Sequence, residues 1–413
     1  MIFSLVYGVG IRIYYAAICL ASFWNSKAKD WIKGRQDWEN NLRTNLPKGQ
    51  IFWIHASSLG EYEMARPIIR AIKQEKPDTQ IVLSFFSPSG YNHFKDEGLV
   101  SVKFYLPLDT PYNAKIVLDI LKPKAVLFIK YEFWPNLLQL IIKQEIPLFF
   151  AGVVFRSDQW FWKVPANPVL KILKSCTAVM VQNQQSLELA HRYGLSSHLF
   201  LTGDTRFDRA REISLSEYSN SMVENFRKNH YTVIVGSSWI GDEERYIPLI
   251  HKYLHWRWII APHDVSESNV QRLAKALSLP TVFFAKAQHS EIFEKRVLLI
   301  DTIGHLSRLY RYADIALVGG AFGSGLHNIV EALAYGIPVL FGPKHHKFWE
   351  AEEAISHQLA HSYSTSTDLE KWLIHYENAE NRQLTKGEIE HWFTKYTDAT
   401  SRVINILKAK EGL

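Results

Sequence analysis

The stretch Gln50-Ile-Phe-Trp-Ile-His55-Ala-Ser-Ser-Leu-Gly-Glu61-Tyr-Glu-Met-Ala-Arg-Pro67 sets the reading of the whole chain. A short apolar run ends at His55, small polar residues follow, and a helical pattern then opens. That order is a buried strand, a tight turn and a helix, the opening of a βαβ unit. In a parallel sheet such a junction lies at the carboxyl edge, where ligands bind.

The same rhythm recurs on both sides of this stretch. Strands are expected at Gln50–His55, Gln80–Phe86, Ala125–Lys130, Pro147–Val154 and Ala178–Gln182, each followed by an amphipathic run. A second set is expected at Thr232–Gly236, Trp258–Ala261, Val297–Asp301, Ile315–Val318 and Pro338–Phe341. Alternating strands and helices give an α/β class with parallel sheets. Two Rossmann-like halves, joined through the polar segment Leu199–Ser221, account for the repeat of pattern. The expected division is 1–25, 26–205, a hinge over 206–224, 225–385 and a C-terminal helical segment 386–413.

The chain has 413 residues, of which 47% are hydrophobic and 21% charged, so it is too apolar for a disordered tail and long enough for two cores. Its 47 basic and 41 acidic residues give a net charge of +6, suited to an anionic lipid surface or a phosphorylated substrate. The basic residues form no sustained stripe with interleaved aromatics, so no nucleic-acid partner is expected. Two cysteines, Cys19 and Cys176, exclude a disulfide framework and a CxxC zinc site. From Ile2 to Trp24 the chain is apolar apart from Ser, Gly and Arg12, and Lys27, Lys29, Lys33 and Arg35 follow. A secretory signal places its charge before the apolar run, so residues 2–24 read as an uncleaved membrane anchor, either a poor span or a helix lying in the interface. The competing reading is a buried first helix of the globular fold.

Candidate site residues cluster at the predicted strand ends. Glu61 has two readings. Ser58-x-x-Glu61 has the spacing of a capping box, and the alternative is a general base at a helix start. Gly60, next to it, favours close approach of a ligand. Glu132, in Lys130-Tyr-Glu-Phe-Trp-Pro-Asn136, is expected at the same sheet edge, where it either shares acid–base work with Glu61 or pairs with Lys130 or Arg156. Arg156 follows the next strand and either binds an anionic group or forms a structural ion pair. In the second half, Gly319-Gly-Ala-Phe-Gly-Ser-Gly-Leu-His-Asn328 follows a strand, and Ile329–Gly336 reads as a helix. Glycine-rich turns before helix starts receive phosphates. The absence of Gly-Lys-Ser/Thr excludes a P-loop, and the spacing is wrong for a nicotinamide site. Glu331 is placed either to accept from sugar hydroxyls or as a solvated helix residue. His345 and His346 are adjacent, without an evident third ligand, so no metal is assigned. No Asp-x-Asp occurs in the chain, which argues against a metal-dependent GT-A enzyme.

His55–Pro67, Glu132–Asn136, Thr202-Gly-Asp-Thr-Arg-Phe-Asp208, Ala261-Pro-His263 and the block Gly319–Glu353 together resemble the 3-deoxy-D-manno-octulosonic acid (Kdo) transferase family. The resemblance covers almost the whole chain, and its specificity lies in the order and spacing of the motifs. It implies a GT-B fold, with two Rossmann-like domains facing across a cleft, the first binding acceptor and the second donor. It also implies inverting transfer from CMP-Kdo to a lipid IVA-type acceptor in lipopolysaccharide biosynthesis, no cofactor or catalytic metal, and a place at the cytoplasmic face of the inner membrane. Glu61 matches the family's proposed base and Glu132 a second acid on the acceptor side. Ser324, Gly325, Asn328 and Glu331 fall on the donor loop and helix, with Arg206, Ser237, Ser238 and His263 as further donor-side candidates. The Lys130-Tyr131 pair departs from the acid and threonine that many members carry there. Two other classes stay open: a GT-B enzyme using a UDP- or GDP-sugar on a lipid, and a non-catalytic membrane-anchored binding protein.

Overall fold

The computed structural model describes residues 2–164, 167–286, 295–323, 325–410 and 412–413. The chain divides into two compact units, Met1–Arg209 with Thr397–Leu413, and Ala210–Tyr396.

In the first unit, β1 (Ile51–His55), β2 (Gln80–Phe85), β3 (Val102–Tyr105), β4 (Ala125–Ile129), β5 (Leu148–Val153), β6 (Ala178–Val181) and β7 (Leu199–Leu201) form one parallel sheet. Their order is β3-β2-β1-β4-β5-β6-β7. β1, β4, β5 and β6 are buried along their whole length because helices cover both faces, which is why they read as continuous apolar runs. One face packs Trp53, Phe128 and Phe150 against the helices Pro111–Leu121 and Pro135–Lys143. The other packs Ile54, Leu127 and Phe149 against Met64, Ile68 and Ile72 of the helix Leu59–Glu75.

That second face is completed from the far end of the sequence. Val403, Ile404 and Leu407 of the helix Ala399–Ala409 join the same core. The Thr202–Asp208 motif holds this helix in place. The Asp208 carboxylate accepts from the Asp398 amide at 2.7 Å and from the Thr400 amide and hydroxyl at 2.6 Å. Arg402 donates to the Thr202 carbonyl at 2.8 Å. Gly203 has φ +90°, and a Cβ there would stand 3.3 Å from Ala399, so the turn needs glycine.

In the second unit, β8 (Thr232–Ser238), β9 (Arg257–Pro262), β10 (Thr281–Phe283), β11 (Val297–Leu299), β12 (Ile315–Val318), β13 (Val339–Phe341) and β14 (Ala360–Ser362) form a parallel sheet in the order β10-β11-β9-β8-β12-β13-β14. Val235, Trp258, Ile260, Leu317 and Leu340 build its core with Tyr246 and Leu373. The helix Ala379–Thr394 belongs to this unit, and Thr397–Leu413 to the first.

One expectation is corrected, the length of the helix after the glycine-rich stretch, and two others gain detail. The polar segment expected as a hinge, 206–224, is largely helical: it runs through Thr205–Leu215 into Ser221–Arg227, and the unit boundary falls inside the first of these helices. The helix expected over Ile329–Gly336 is a single turn, Val330–Leu333, closed by Gly336 at φ +70° ahead of Pro338. The apolar N-terminal segment forms the helix Ile2–Ala21, and among the described residues no helix is long and apolar enough to cross a membrane. One side of this helix docks on the first unit through buried Ile11 and through Tyr7, whose hydroxyl donates to Asp109 at 3.0 Å. Val6, Val9, Ile13 and Leu20 are exposed, as are Phe23 and Trp24 just beyond it.

Asp208 satisfies three donors at the start of the C-terminal helix. Asp208→Ala is therefore expected to lower the free energy of unfolding by about 2–4 kcal/mol, read from urea denaturation. A change under about 0.5 kcal/mol would show that the apolar face of that helix holds it without the cap.

Candidate active site

The first sheet reverses its strand order between β1 and β4, and the crevice at a parallel sheet's ligand edge opens at such a switch point. The loops that leave these two strands carry Ser57, Ser58 and Glu61 on one side and Lys130–Trp134 on the other. Ser58 is the N-cap of the helix Leu59–Glu75, with extended backbone, but its side chain makes no capping bond. The Glu61 carboxylate reaches back and accepts from the Ser57 amide at 2.5 Å. It also takes the Ser58 amide, the glutamate half of a capping box, while the serine half is missing and the Ser58 hydroxyl stays outside it. A methyl at Gly60 would meet nothing within 4 Å, so no packing in this unit demands the glycine.

Glu61 is only 8% exposed. Burial pushes its pKa up to about 7 and the nearby Glu132 carboxylate adds to the rise, while Lys130 and the Ser57 and Ser58 amides oppose it. Glu132 is half-buried. Its pKa is also raised by burial, against the opposing effects of a hydrogen bond from the Ser57 hydroxyl and of Lys130. One serine thus holds both carboxyl groups, Glu61 through its amide and Glu132 through its hydroxyl. Two such carboxyls take up protons as a pair, with Glu61 poised near neutrality. Lys130 adopts φ +62°, an uncommon conformation for a residue with a Cβ, at the loop that carries Glu132. Arg156 pairs with Asp158 at 3.2 Å and donates to the Tyr131 hydroxyl at 3.3 Å. His55 is a core residue: it is fully buried, its Nδ1 lies 2.8 Å from Ser84 Oγ, and burial and the Arg35 charge hold its pKa down at about 3.

In the second unit the order reverses between β8 and β12. The loop after β8 holds Ser237, Ser238 and Trp239, and that after β12 is the glycine-rich stretch. Asp242 joins them, its Oδ2 accepting from the Trp239 amide at 3.0 Å and from the Gly320 amide at 3.1 Å. A Cβ on Gly319 would fall 2.4 Å from the Ser237 carbonyl oxygen, and one on Gly320 the same distance from that of Gly325. These two glycines answer to the loop's own packing. Ser238 is buried and bonded to the Tyr246 hydroxyl at 2.9 Å, whereas Ser237 is half-buried at φ +53°. Trp239, His263 and His327 stack, with ring centres 4.4 Å apart for Trp239 and His263 and 4.6 Å for His263 and His327. The Trp239 indole donates to His327 Nε2 at 3.0 Å, which places the neutral ring's proton on Nδ1. Burial and His263 lower the His327 pKa to about 4, so the ring stays neutral. Asn328 donates to Glu331 at 3.0 Å and accepts from the Val330 amide at 3.2 Å.

The sequence-predicted residues are thus gathered at two switch points. Glu61 and Glu132 meet in the first unit. Ser237, Gly325, Asn328 and Glu331 lie on the two switch-point loops of the second and the helical turn that follows, with His263 just after β9. Ser324 lies outside the described residues. Arg206 belongs to the first unit, where its guanidinium is held by buried Asp204 at 2.6 Å. Trp239, Asp242 and His327 were missed. The pattern Ser57-Ser-Leu-Gly-Glu61 returning as Ser237-Ser-Trp-Ile-Gly-Asp242 after the matching strand was the signal for Asp242. His345 and His346, set aside for want of a third ligand, share one: both Nδ1 atoms bond Glu352 Oε1, at 2.6 and 2.9 Å.

The fold matches that of UDP-GlcNAc 2-epimerase from Methanocaldococcus jannaschii, with a TM-score of 0.58 over 87% of this chain and 100% of that one, at 14% identity. That likeness concerns the fold alone. The model of the family described as 3-deoxy-D-manno-octulosonic-acid transferase matches residues 33–209. Relatives bearing that name include the Aquifex aeolicus protein, 28% identical over 74% of this chain and 79% of its own length, and the Haemophilus influenzae protein, 27% identical over 72% of each. The chain is thus similar to the Kdo transferases, through the family model over part of its first half and through these relatives over about three quarters of its length. Within the segment that the family model spans lie both carboxyl groups and the serine that holds them.

The raised pKa of Glu61 has a cost in stability. The group ionises near 4.5 ordinarily and near 7 in the folded protein, so the folded state holds the extra proton between these values and stability falls as pH rises through them. Glu61→Gln is expected to be more stable than the wild type at pH 8 by about 1–3 kcal/mol, with the gain shrinking towards pH 4, measured by urea unfolding at each pH. A difference independent of pH would show that Glu61 titrates normally.

Proposed function

We propose that this protein is a Kdo transferase, an inverting glycosyltransferase that moves one or more Kdo units from CMP-Kdo to a lipid IVA-type acceptor, a phosphorylated and acylated glucosamine disaccharide. The observation that carries this reading is the Glu61–Glu132 pair on Ser57, joined to the likeness to Kdo transferases. Glu61 takes the proton from the acceptor hydroxyl as its oxygen bonds to the anomeric carbon of Kdo, and the bond from that carbon to the CMP phosphate oxygen breaks with its electron pair leaving on CMP. A carboxyl with pKa near 7 suits this role, since it is available as a base at neutral pH yet strong enough to accept the proton. Glu132 keeps that pKa high and, through the Ser57 hydroxyl, shares the orientation of the loop.

The second unit would take the donor. Its glycine loop, the Asn328–Glu331 pair and the Nδ1–H of His327 offer the donors and acceptors that a phosphate and a sugar need, and the Trp239–His263–His327 stack is a flat face suited to a pyrimidine base. The exposed apolar side of the helix Ile2–Ala21, with Phe23, Trp24 and the lysines beyond, suits a helix lying in the interface of an anionic leaflet, here the cytoplasmic face of the inner membrane. None of these steps calls on a cofactor or a metal at the reacting carbon.

Purified protein given CMP-Kdo and a tetra-acylated lipid A precursor in phospholipid vesicles is expected to raise the lipid mass by one or more Kdo units. Glu61→Ala should retain its fold and lose at least about a hundredfold in rate. No mass gain with CMP-Kdo, alongside turnover of another nucleotide sugar, would overturn the donor; full activity of Glu61→Ala would overturn the base.

A further inference from the structure

We propose that Arg35 is a positioning residue for the Glu61–Glu132 pair, acting through the Phe86–Ser87 peptide plane and Ser57. The proposal rests on the reading of Glu61 as the base.

Arg35 follows the helix Ser26–Lys33, at the entry to the first unit. Its guanidinium donates from Nε to the Leu106 carbonyl at 2.9 Å, from Nη1 to the Trp31 carbonyl at 3.0 Å and from Nη2 to the Phe86 carbonyl at 2.7 Å. It lies 3.7 Å from the Trp31 ring centre and 4.7 Å from that of Phe86. Burial lowers its pKa to about 9, so it remains a cation at neutral pH, facing Tyr14, Tyr105 and the neutral His55. Gly34 brings the backbone in far enough for this reach, since a Cβ there would overlap the Tyr105 ring at 2.1 Å.

The Phe86 carbonyl and the Ser87 amide belong to one planar peptide unit. Arg35 grips its oxygen, and its N–H donates to the Ser57 carbonyl at 2.8 Å, joined by the Phe86 N–H at 3.2 Å. Ser57 then supplies its amide to Glu61 and its hydroxyl to Glu132. A cation that only stapled the N-terminal helices to the sheet could bond any carbonyl; this one holds the peptide plane that fixes the serine. A lysine has no planar fork and cannot reach three carbonyls from three segments at once. In Arg35→Lys the plane gains freedom to rotate and the Ser57 amide bond to Glu61 weakens. That bond, with Lys130 and the Ser58 amide, favours ionised Glu61 against burial and Glu132, so weakening it raises the Glu61 pKa further.

The test compares wild type with Arg35→Lys. Expected for the variant are a kcat lower by about tenfold or more with the donor KM within about twofold, and an acid limb of the kcat/KM profile moved up by about half a pH unit or more. Hydrogen exchange at the Ser57 amide is expected to quicken by about tenfold or more, while the Ile51–His55 amides keep their protection. Loss of activity only in proportion to loss of folded protein, with the pH profile and Ser57 exchange of the wild type, would overturn the proposal. If the wild type transfers no Kdo, it is the functional reading that fails, and Ser57 exchange in Arg35→Lys still decides whether the relay exists.

Discussion

Two carboxyl groups, set together where water is largely excluded, repel each other when both are ionised, and the structure meets that difficulty with one serine. Ser57 gives its amide to Glu61 and its hydroxyl to Glu132, so one of the pair can carry charge while the other holds a proton near neutrality. Much of the first unit follows from keeping that serine still. β1 must end at His55 so that Ser57 falls in the loop, β4 must lie beside β1 so that Glu132 arrives at the same edge, and the helix must begin at Leu59 so that Glu61, in its first turn, can reach back to Ser57. Burial works in the same direction. It raises the Glu61 pKa towards a value useful for a base and takes the cost from the stability of the folded state.

The two units solve a related problem twice. In each, the strand that comes first along the chain borders the switch point, and an acid three residues past the helix cap folds back on the loop before it. In the first unit that acid is Glu61, half caged and next to open space at Gly60. In the second it is Asp242, whose oxygen ties the β8 loop to the glycine loop. The same local device supplies a reactive group in one place and a scaffold in the other: Glu61 stands against Glu132, whereas an Asp242 oxygen is taken up by two backbone amides from different loops.

Legibility in the sequence followed burial. The ten strands read from apolar runs are the ten interior strands of the two sheets, covered on both faces. The four that escaped, β3, β7, β10 and β14, are the four edge strands, short, and mixed in polarity as in Ala360-His-Ser362 or only three residues long as in Leu199-Phe-Leu201. Glu61 and Glu132 were visible because each directly follows a strand with an unmistakable apolar run. Ser57 and Arg35 were not, since their part depends on backbone carbonyls and amides that carry no sequence signal. Trp239 and His327 were hidden for another reason: they act as a stacked set brought together from β8 and β12, and only the topology makes them neighbours. The phosphate role expected of Gly319 and Gly320 is tempered by the close backbone approach that already requires them.

The proton shared at the switch point, with Glu61 poised near neutral pH, can be read directly by carbon-13 NMR of glutamate-carboxyl-labelled protein, with Glu61→Gln identifying the resonance. The account predicts a Glu61 midpoint near 7 that falls when Glu132 is changed to glutamine, because the neighbouring negative charge is then removed. A midpoint near the ordinary glutamate value of 4.5, unmoved by that change, would contradict it.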